Sequence, residues 1–332
     1  MALDTLTHAV MGMTLAGLAR LDPVVAEDPS LATAVLLATT IGSQAPDFDG
    51  LVRLGGPAAY VRYHRGPTHS LPALLAWPWL IAGGVELLLG PVPFWHLLGW
   101  TSVAVFVHAF TDLLNSYGTQ VLWPFSRRWV AWHVLPIFDP VLFALHVLGL
   151  VLWAMGVPPG PLFAAVYAAT AAWGAIRWAV RHRVAWSIRR AIGDPRTDTT
   201  VLPTFFPATW NVIADDGQAV RVGTWRDGRL TWRDVLTRPP HDHPAVREAR
   251  AHPYVRALLS FTRYAVPRVH PVAGGTEVRW VDVRFQAADG HYPLIAAVYL
   301  DRSGRVKQAV IGWMYRESHV RKKLGLPDTP DA

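Results

Sequence analysis

The sequence contains no cysteine among its 332 residues. This absence excludes a disulfide-stabilised scaffold, a thiolate nucleophile and a thiolate metal ligand. Charged residues are also scarce, at 17% of the chain against about 25% in an average soluble domain. Hydrophobic residues, by contrast, make up 52% and include 16 tryptophans. So much apolar surface excludes a disordered chain and leaves either an unusually apolar soluble protein or a membrane protein.

The few charges are distributed unevenly along the chain. Residues 1–193 hold 20 of the 55 charged residues, and residues 194–332 hold the other 35. We therefore predict a membrane-embedded helical domain over 1–193 and a soluble domain over 194–332. Their boundary is expected at Asp194-Pro195, where a proline follows the last arginine-rich stretch.

Long uncharged stretches in the first region predict the membrane helices. No Asp, Glu, Lys or Arg lies between Asp139 and Arg177, and only Glu86 lies between Arg65 and Asp112. Proline-rich turns divide both stretches in two. The predicted helices cover residues 5–20, 31–45, 70–90, 94–115, 141–157 and 161–180, of which the first two are short for a full span. The predicted fold class is an all-α polytopic membrane bundle of about six helices, followed by a small cytoplasmic α+β domain.

Arginines set the predicted orientation. Five of them, from Arg177 to Arg190, surround the end of the last predicted helix, which places that end in the cytoplasm. Loop 21–30 has three acids and no cation and falls outside. We expect a multi-pass membrane protein with a cytoplasmic C-terminal domain. No cleavable signal peptide is expected, because no basic leader precedes the first helix. The formal net charge of +7 then indicates attraction to a membrane surface, and no nucleic-acid partner is expected.

Seven ionisable side chains in this apolar region share one predicted depth. They stand at the cytoplasmic ends of different predicted helices, and they are His8, Asp47, Asp49, His64, His69, His108 and Asp112. Imidazoles and carboxylates that converge at one level are suitable ligands for a divalent metal. Zn is the favoured ion, with Mn or Fe as alternatives, and the carboxylates leave room for one or two ions.

Each of these residues also has a purely structural explanation when it is taken alone. His8 is typical of a hydrogen-bonded helix histidine, Asp47 of a helix end, and His108 with Asp112 of an internal pair. Asp139, at the start of the fifth helix, is interpreted as an N-cap. The shared depth of the seven groups is what favours a metal site.

The pattern predicts hydrolysis as the chemistry. A metal ion lowers the pKa of a coordinated water and so provides a nucleophile. We assign catalytic roles to Asp49 as base or bridging ligand, to His64 as ligand or proton donor, and to Arg65 as an anion clamp. A membrane lipid or another amphiphile with a phosphate ester is the expected substrate. The alternative is a non-enzymatic transporter or scaffold with a structural metal.

Several motifs resemble the YdjM-like family of inner-membrane, metal-dependent hydrolases. The resemblance covers the chain to about residue 190 and rests on His8, Pro46-Asp47-Phe48-Asp49, His64-Arg65-Gly66-Pro67-Thr68-His69-Ser70, and His108-Ala109-Phe110-Thr111-Asp112 with Gly118 and Trp123-Pro124-Phe125. It implies a bacterial inner-membrane location and metal-assisted hydrolysis. In the order of its ligands the chain is also distantly similar to zinc-dependent phospholipases C, which is an analogy only.

The C-terminal region alternates apolar and polar residues at period two, which predicts an antiparallel sheet. The turn Asp301-Arg302-Ser303-Gly304 joins two such segments into a hairpin. Residues 244–259 are predicted to form the only helix of this domain. The domain is a candidate for binding a protein partner.

Overall fold

The computed structural model describes residues 2–327, which form two compact units. The helical unit comprises the residues up to Gly50, Arg65–His182 and Pro203–Phe205. The α/β unit comprises Leu51–His64, Arg183–Leu202 and the residues from Phe206 onward.

Helices occur at all six positions predicted in the first region. The helices of the described chain are α1 (Ala2–Leu18), α2 (Pro23–Glu27), α3 (Pro29–Gly42), α4 (Pro57–Tyr63), α5 (Leu71–Leu89), α6 (Phe94–Leu114), α7 (Pro140–Ala154), α8 (Pro159–Ile192), α9 (Pro244–Ala251), α10 (Pro253–Phe261) and α11 (Glu317–Leu324). Short 3-10 segments lie at Ala19–Leu21, Ala45–Gly55 and Pro67–His69.

Two of the described helices, α5 and α6, are long and apolar enough to cross a membrane. α3 and α7 are apolar but shorter than a full span. The insertion of six helices in a membrane therefore remains a prediction.

Aspartates fix the starts of several helices in the helical unit. Asp28 accepts hydrogen bonds from the backbone N–H groups at the start of α3, and Asp139 does the same at the start of α7. Each is followed by a proline at the first helical position, where the missing N–H costs nothing. The predicted N-cap at Asp139 is confirmed.

The core of the helical unit lies between α1, α3, α5 and α6. Small side chains let these helices approach closely, and most of the buried residues from α3 are Ala, Val or Leu. Gly12 of α1 faces the end of α3 so closely that an added Cβ would lie 2.2 Å from Ser43 Oγ and 2.7 Å from the Thr39 carbonyl oxygen. This contact sets the position of the chain just after α3.

The α/β unit contains two four-stranded antiparallel sheets where the sequence predicted one. The strands are β1 (Asp198–Pro203), β2 (Thr209–Asp215), β3 (Ala219–Arg226), β4 (Arg229–Thr237), β5 (Ala265–Val272), β6 (Gly275–Asp282), β7 (Leu294–Asp301) and β8 (Val306–Trp313). They follow the orders β1-β2-β3-β4 and β5-β6-β7-β8. Apolar residues of both sheets, such as Val222 and Ile295, share one hydrophobic core.

The predicted hairpin across Asp301-Arg302-Ser303-Gly304 is confirmed, because β7 and β8 pair directly on either side of it. The single helix predicted over 244–259 is wrong in its extent. His252 and Pro253 divide it into α9 and α10, because a proline excludes its predecessor from the helical conformation. α11 was not predicted.

Candidate metal centre

Two side chains of the candidate centre come from the last two turns of α6. His108 and Asp112 are four residues apart and lie on one helix face, as their spacing predicts. The Nδ1–H of His108 donates to the main-chain carbonyl of Ser43 over 2.7 Å. The bond fixes the tautomer of His108, so that its Nε2 carries a lone pair directed into the centre.

Two further side chains of the candidate centre come from two 3-10 segments. Asp47 lies in the segment that follows α3, and His69 ends the short segment before α5. His69 Nδ1 lies 3.2 Å from the hydroxyl oxygen of Thr68, which itself donates to Asp49. This chain of hydrogen bonds orients the imidazole and leaves His69 Nε2 for the centre.

Asp47, His69, His108 and Asp112 form the first donor group. From His69 Nε2, Asp112 Oδ2 is 3.2 Å away, His108 Nε2 3.3 Å and Asp47 Oδ1 3.6 Å. From His108 Nε2, Asp112 Oδ2 is at 3.4 Å and Asp47 Oδ1 at 3.8 Å. Tetrahedral zinc with bonds of about 2.0–2.1 Å places its ligand atoms about 3.3–3.4 Å apart. The four donors therefore have nearly the spacing that one tetrahedral ion requires.

Buried polar atoms without a hydrogen-bond partner provide an independent test of the fit. Among the described residues, Asp47 Oδ1 and Asp112 Oδ2 are buried and accept no hydrogen bond. Such atoms are costly in a protein interior unless something else satisfies them. A divalent cation between the four donors would satisfy both, so the residues present fit a metal ion.

A second donor group shares Asp112 with the first and contains Asp4, His8 and Asp112. His8 Nε2 lies 3.3 Å from Asp112 Oδ1 and 3.7 Å from Asp4 Oδ1. The His8 ring also stacks on that of His108, with centroids 3.9 Å apart. Asp112 thus directs one carboxylate oxygen to each group.

Arg65 adds a positive charge at this second group. Its Nη2 contacts Asp4 Oδ2 and lies 3.1 Å from Asp112 Oδ1. The guanidinium is buried and lies over the ring of Tyr117. Its Nε and Nη1 have no hydrogen-bond partner in the described part of the chain.

Asp49 belongs to neither donor group. Its Oδ2 accepts hydrogen bonds from the backbone N–H of Arg65, at 2.6 Å, and from the Thr68 hydroxyl, at 3.0 Å. The same oxygen is 3.7 Å from His69 Nδ1, on the side of the ring that faces away from the donors. Asp49 thereby holds the segment that carries both Arg65 and His69.

His64 lies in the α/β unit, at the end of α4, where its ring stacks on Tyr60 with centroids 4.7 Å apart. The chain changes unit between His64 and Arg65, and Arg65 has a positive φ of 59°. The role of His64 as ligand or proton donor remains a prediction.

Asp4 was not predicted as a site residue. Its spacing of four residues from His8 was a usable signal, because the two then share one face of α1.

Environment determines the charge of the two donors outside the helices. Burial favours the neutral form of Asp47, but the neighbouring imidazoles of His69 and His108 outweigh it and hold the pKa of Asp47 well below its usual range. Burial also opposes protonation of His69, but the carboxylates of Asp112 and Asp47 outweigh it and raise its pKa to about 9. The side chain of Asp47 is 11% exposed and that of Asp112 only 1%, although the donor oxygen Asp47 Oδ1 is itself buried.

A cavity of about 30 Å³ lies against the second group. Asp4, His8 and Asp112 belong to its polar wall, and Met11 and Leu142 belong to its apolar wall. Such a volume holds about two water molecules.

Comparison with known proteins identifies the class to which this fold and centre belong. The family described as YdjM inner membrane protein matches residues 3–184. The chain belongs to this family, and the resemblance seen in its motifs is confirmed.

The comparison extends over the C-terminal region as well. Residues 244–324 match the YfhP C-terminal alpha/beta plait domain. The chain is 35% identical over 325 residues to "Uncharacterized protein YfhP" of Bacillus subtilis (strain 168), which covers 98% of this chain and 99% of that protein. No solved structure matches the chain significantly.

Proposed function

We propose that this protein is a membrane-bound, metal-dependent hydrolase that acts on a phosphoester at the cytoplasmic face of the inner membrane. The observation that carries the proposal is the clustering of Asp47 Oδ1, His69 Nε2, His108 Nε2 and Asp112 Oδ2. Each imidazole nitrogen lies 3.2–3.8 Å from both carboxylate oxygens, and one ligand atom of each residue lies within 4.8 Å of the others. Nitrogen and oxygen ligands without thiolate suit Zn, with Mn or Fe as alternatives. When bound there, the ion supplies a Lewis acid that activates water for hydrolysis.

The surroundings of Arg65 favour a substrate that carries an anionic group. One edge of its guanidinium is held by Asp4 and Asp112, whereas the Nε and Nη1 donors are buried and unused in the described residues. A planar fork of N–H donors matches the oxygens of a phosphate group. Arg65 would therefore bind the phosphoryl oxygens and hold the ester in place.

Asp49, Thr68 and Ser43 act through other residues. Asp49 fixes the backbone of Arg65 and, with Thr68, the ring of His69, and the Ser43 carbonyl fixes the ring of His108. We assign positioning roles to them. For Asp49 this is an alternative to the predicted role as base or bridging ligand, which stays a prediction.

The family and the charge distribution support a lipid or amphiphilic substrate. Members of this family are inner membrane proteins, and a lipid or amphiphile with a phosphate group presents its ester at the membrane surface. By the positive-inside rule, the basic stretch from Arg177 to Arg190 supports a cytoplasmic location for the α/β unit.

Metal content tests the first part of the proposal. The full chain is purified in detergent, and bound metal is measured by elemental analysis for the wild type and for Asp112→Ala and His69→Ala. We expect both variants to lose the ion and to remain folded. His96→Ala is the matched control, because His96 lies on the same helix as His108 but pairs with Asp22 instead. Unchanged metal in both ligand variants would contradict the assignment.

Hydrolysis tests the second part. The wild type is screened against soluble phosphoesters and against phospholipids in vesicles, with amides and carboxylic esters as comparison classes. We expect turnover of phosphoesters that disappears in Asp112→Ala and remains in His96→Ala. Bound metal without turnover of any class would instead favour a structural metal.

A further inference from the structure

The second donor group has the composition of another metal site. His8 Nε2 is buried, has no hydrogen-bond partner in the described residues, and lies 3.3 Å from Asp112 Oδ1 and 3.7 Å from Asp4 Oδ1. One imidazole and two carboxylates would suffice for an ion that also keeps water ligands. Judged by its donors alone, this group would make the centre binuclear, with Asp112 as the bridge.

A cation of the protein already lies between the carboxylates of this group. Nη2 of Arg65 contacts Asp4 Oδ2 and is 3.1 Å from Asp112 Oδ1, so one nitrogen serves both acids. A divalent ion added to Asp4, His8 and Asp112 would have to share these acids with the guanidinium. The two positive charges would lie side by side in a buried, poorly screened environment.

The position of Arg65 is fixed by its own backbone and by Tyr117. Its N–H donates to Asp49 over 2.6 Å, and its carbonyl accepts from the backbone N–H of Gln120 over 2.9 Å. The guanidinium carbon lies 5.2 Å from the centroid of the Tyr117 ring. An incoming ion would therefore displace a side chain that is anchored at both ends.

We propose that the guanidinium of Arg65 takes the place of a second metal ion, so that the centre binds one divalent ion per chain. The inference rests on the proposed function, since it presupposes an ion in the first donor group. It predicts that removal of the charge at position 65 creates a second metal site from Asp4, His8 and Asp112. The cavity of about 30 Å³ against these three residues has room for water ligands of that ion.

Metal stoichiometry tests the proposal without any activity assay. The full chain in detergent is loaded with Zn²⁺, freed of loosely bound ions by gel filtration, and measured by elemental analysis and native mass spectrometry. We expect one ion in the wild type and two in Arg65→Met, which keeps the approximate length of the side chain without its charge. Arg65→Lys is the matched control, and it should stay at one ion because the positive charge is kept.

Two further variants keep the test decisive if Arg65→Met does not fold. His8→Gln and Asp4→Asn remove donors of the second group and leave every donor of the first group in the chain. Each variant should still bind one ion, whereas a binuclear centre would fall from two ions to one. Two ions in the wild type would overturn the inference, as would a folded Arg65→Met with only one. If the wild type binds no ion, both the inference and the proposed function are wrong. If the wild type and all variants, including Arg65→Met, bind one ion, only the inference is wrong.

Discussion

At the scale of single residues, the direction of a side chain decides its role more than its chemical type. Asp47 and Asp49 are two positions apart in one 3-10 segment, yet only Asp47 belongs to a donor group. Asp49 instead accepts hydrogen bonds from Arg65 and Thr68 behind the His69 ring. The two acids are therefore a natural pair for comparison.

Substitution of each acid by asparagine should separate these roles. We expect Asp47→Asn to abolish stable metal binding, because the amide is a poor ligand. Asp49→Asn should weaken it about 10–100-fold, the usual cost of losing a group that orients a ligand. Competition with a chelator of known affinity measures both effects on the purified chain. Equal losses in the two variants would contradict the distinction.

At the scale of helices and strands, close packing between α1 and α3 fixes the position of a group that contacts the metal centre. α1 approaches the end of α3 at Gly12, and the residue that follows α3, Ser43, holds His108 through its carbonyl. No atom of Gly12 belongs to a donor group, yet its missing side chain determines where that carbonyl lies.

A methyl group at position 12 should therefore weaken metal binding from a distance. In Gly12→Ala the Cβ would overlap Ser43 and the main chain of Thr39. We expect a loss of about 1–3 kcal/mol in stability, typical of overpacking, together with a lower metal affinity. Thermal unfolding in detergent and metal titration measure the two effects.

Gly84→Ala in α5 is the control for this prediction, because nothing lies within 4 Å of an added Cβ there. It should keep full metal affinity and gain up to about 1 kcal/mol from helix propensity. If both alanine variants behave alike, packing at Gly12 does not control the centre.

Several of these features of the helices could be predicted from the sequence. The spacing of His108 and Asp112 fixed their common face, and Asp139 was identifiable as an N-cap. The surroundings of Asp49 and His64 could not be predicted. They depend on the course of the chain around Arg65, whose positive φ is set by local contacts that no periodicity encodes.

At the scale of the whole molecule, the distribution of charge predicts the orientation in the membrane, which side-chain packing does not. Among the described helices, α5 and α6 are both long enough and apolar enough for a membrane span. Arginines follow the apolar part of α8, from Arg177 to Arg190, and acids without cations occupy loop 21–30. The bias predicts one orientation for the chain in the membrane.

Reporter fusions test that orientation. A fluorescent protein fused after Ala332 should fold and fluoresce, because this reporter matures in the cytoplasm. Alkaline phosphatase inserted after Pro158 should be active, because this turn is predicted to lie outside the cytoplasm. Activity of a phosphatase fused after Ala332 would reverse the topology and place the centre on the opposite face.

The hydrogen bond between His108 and Ser43 has an evolutionary consequence. The acceptor is a main-chain carbonyl, so every amino acid encoded at position 43 would still offer it. Mutational drift can thus erase the serine hydroxyl without disturbing the imidazole proton. Only a change that moves the helix end itself can release that proton, and selection should act there instead of on the identity of residue 43.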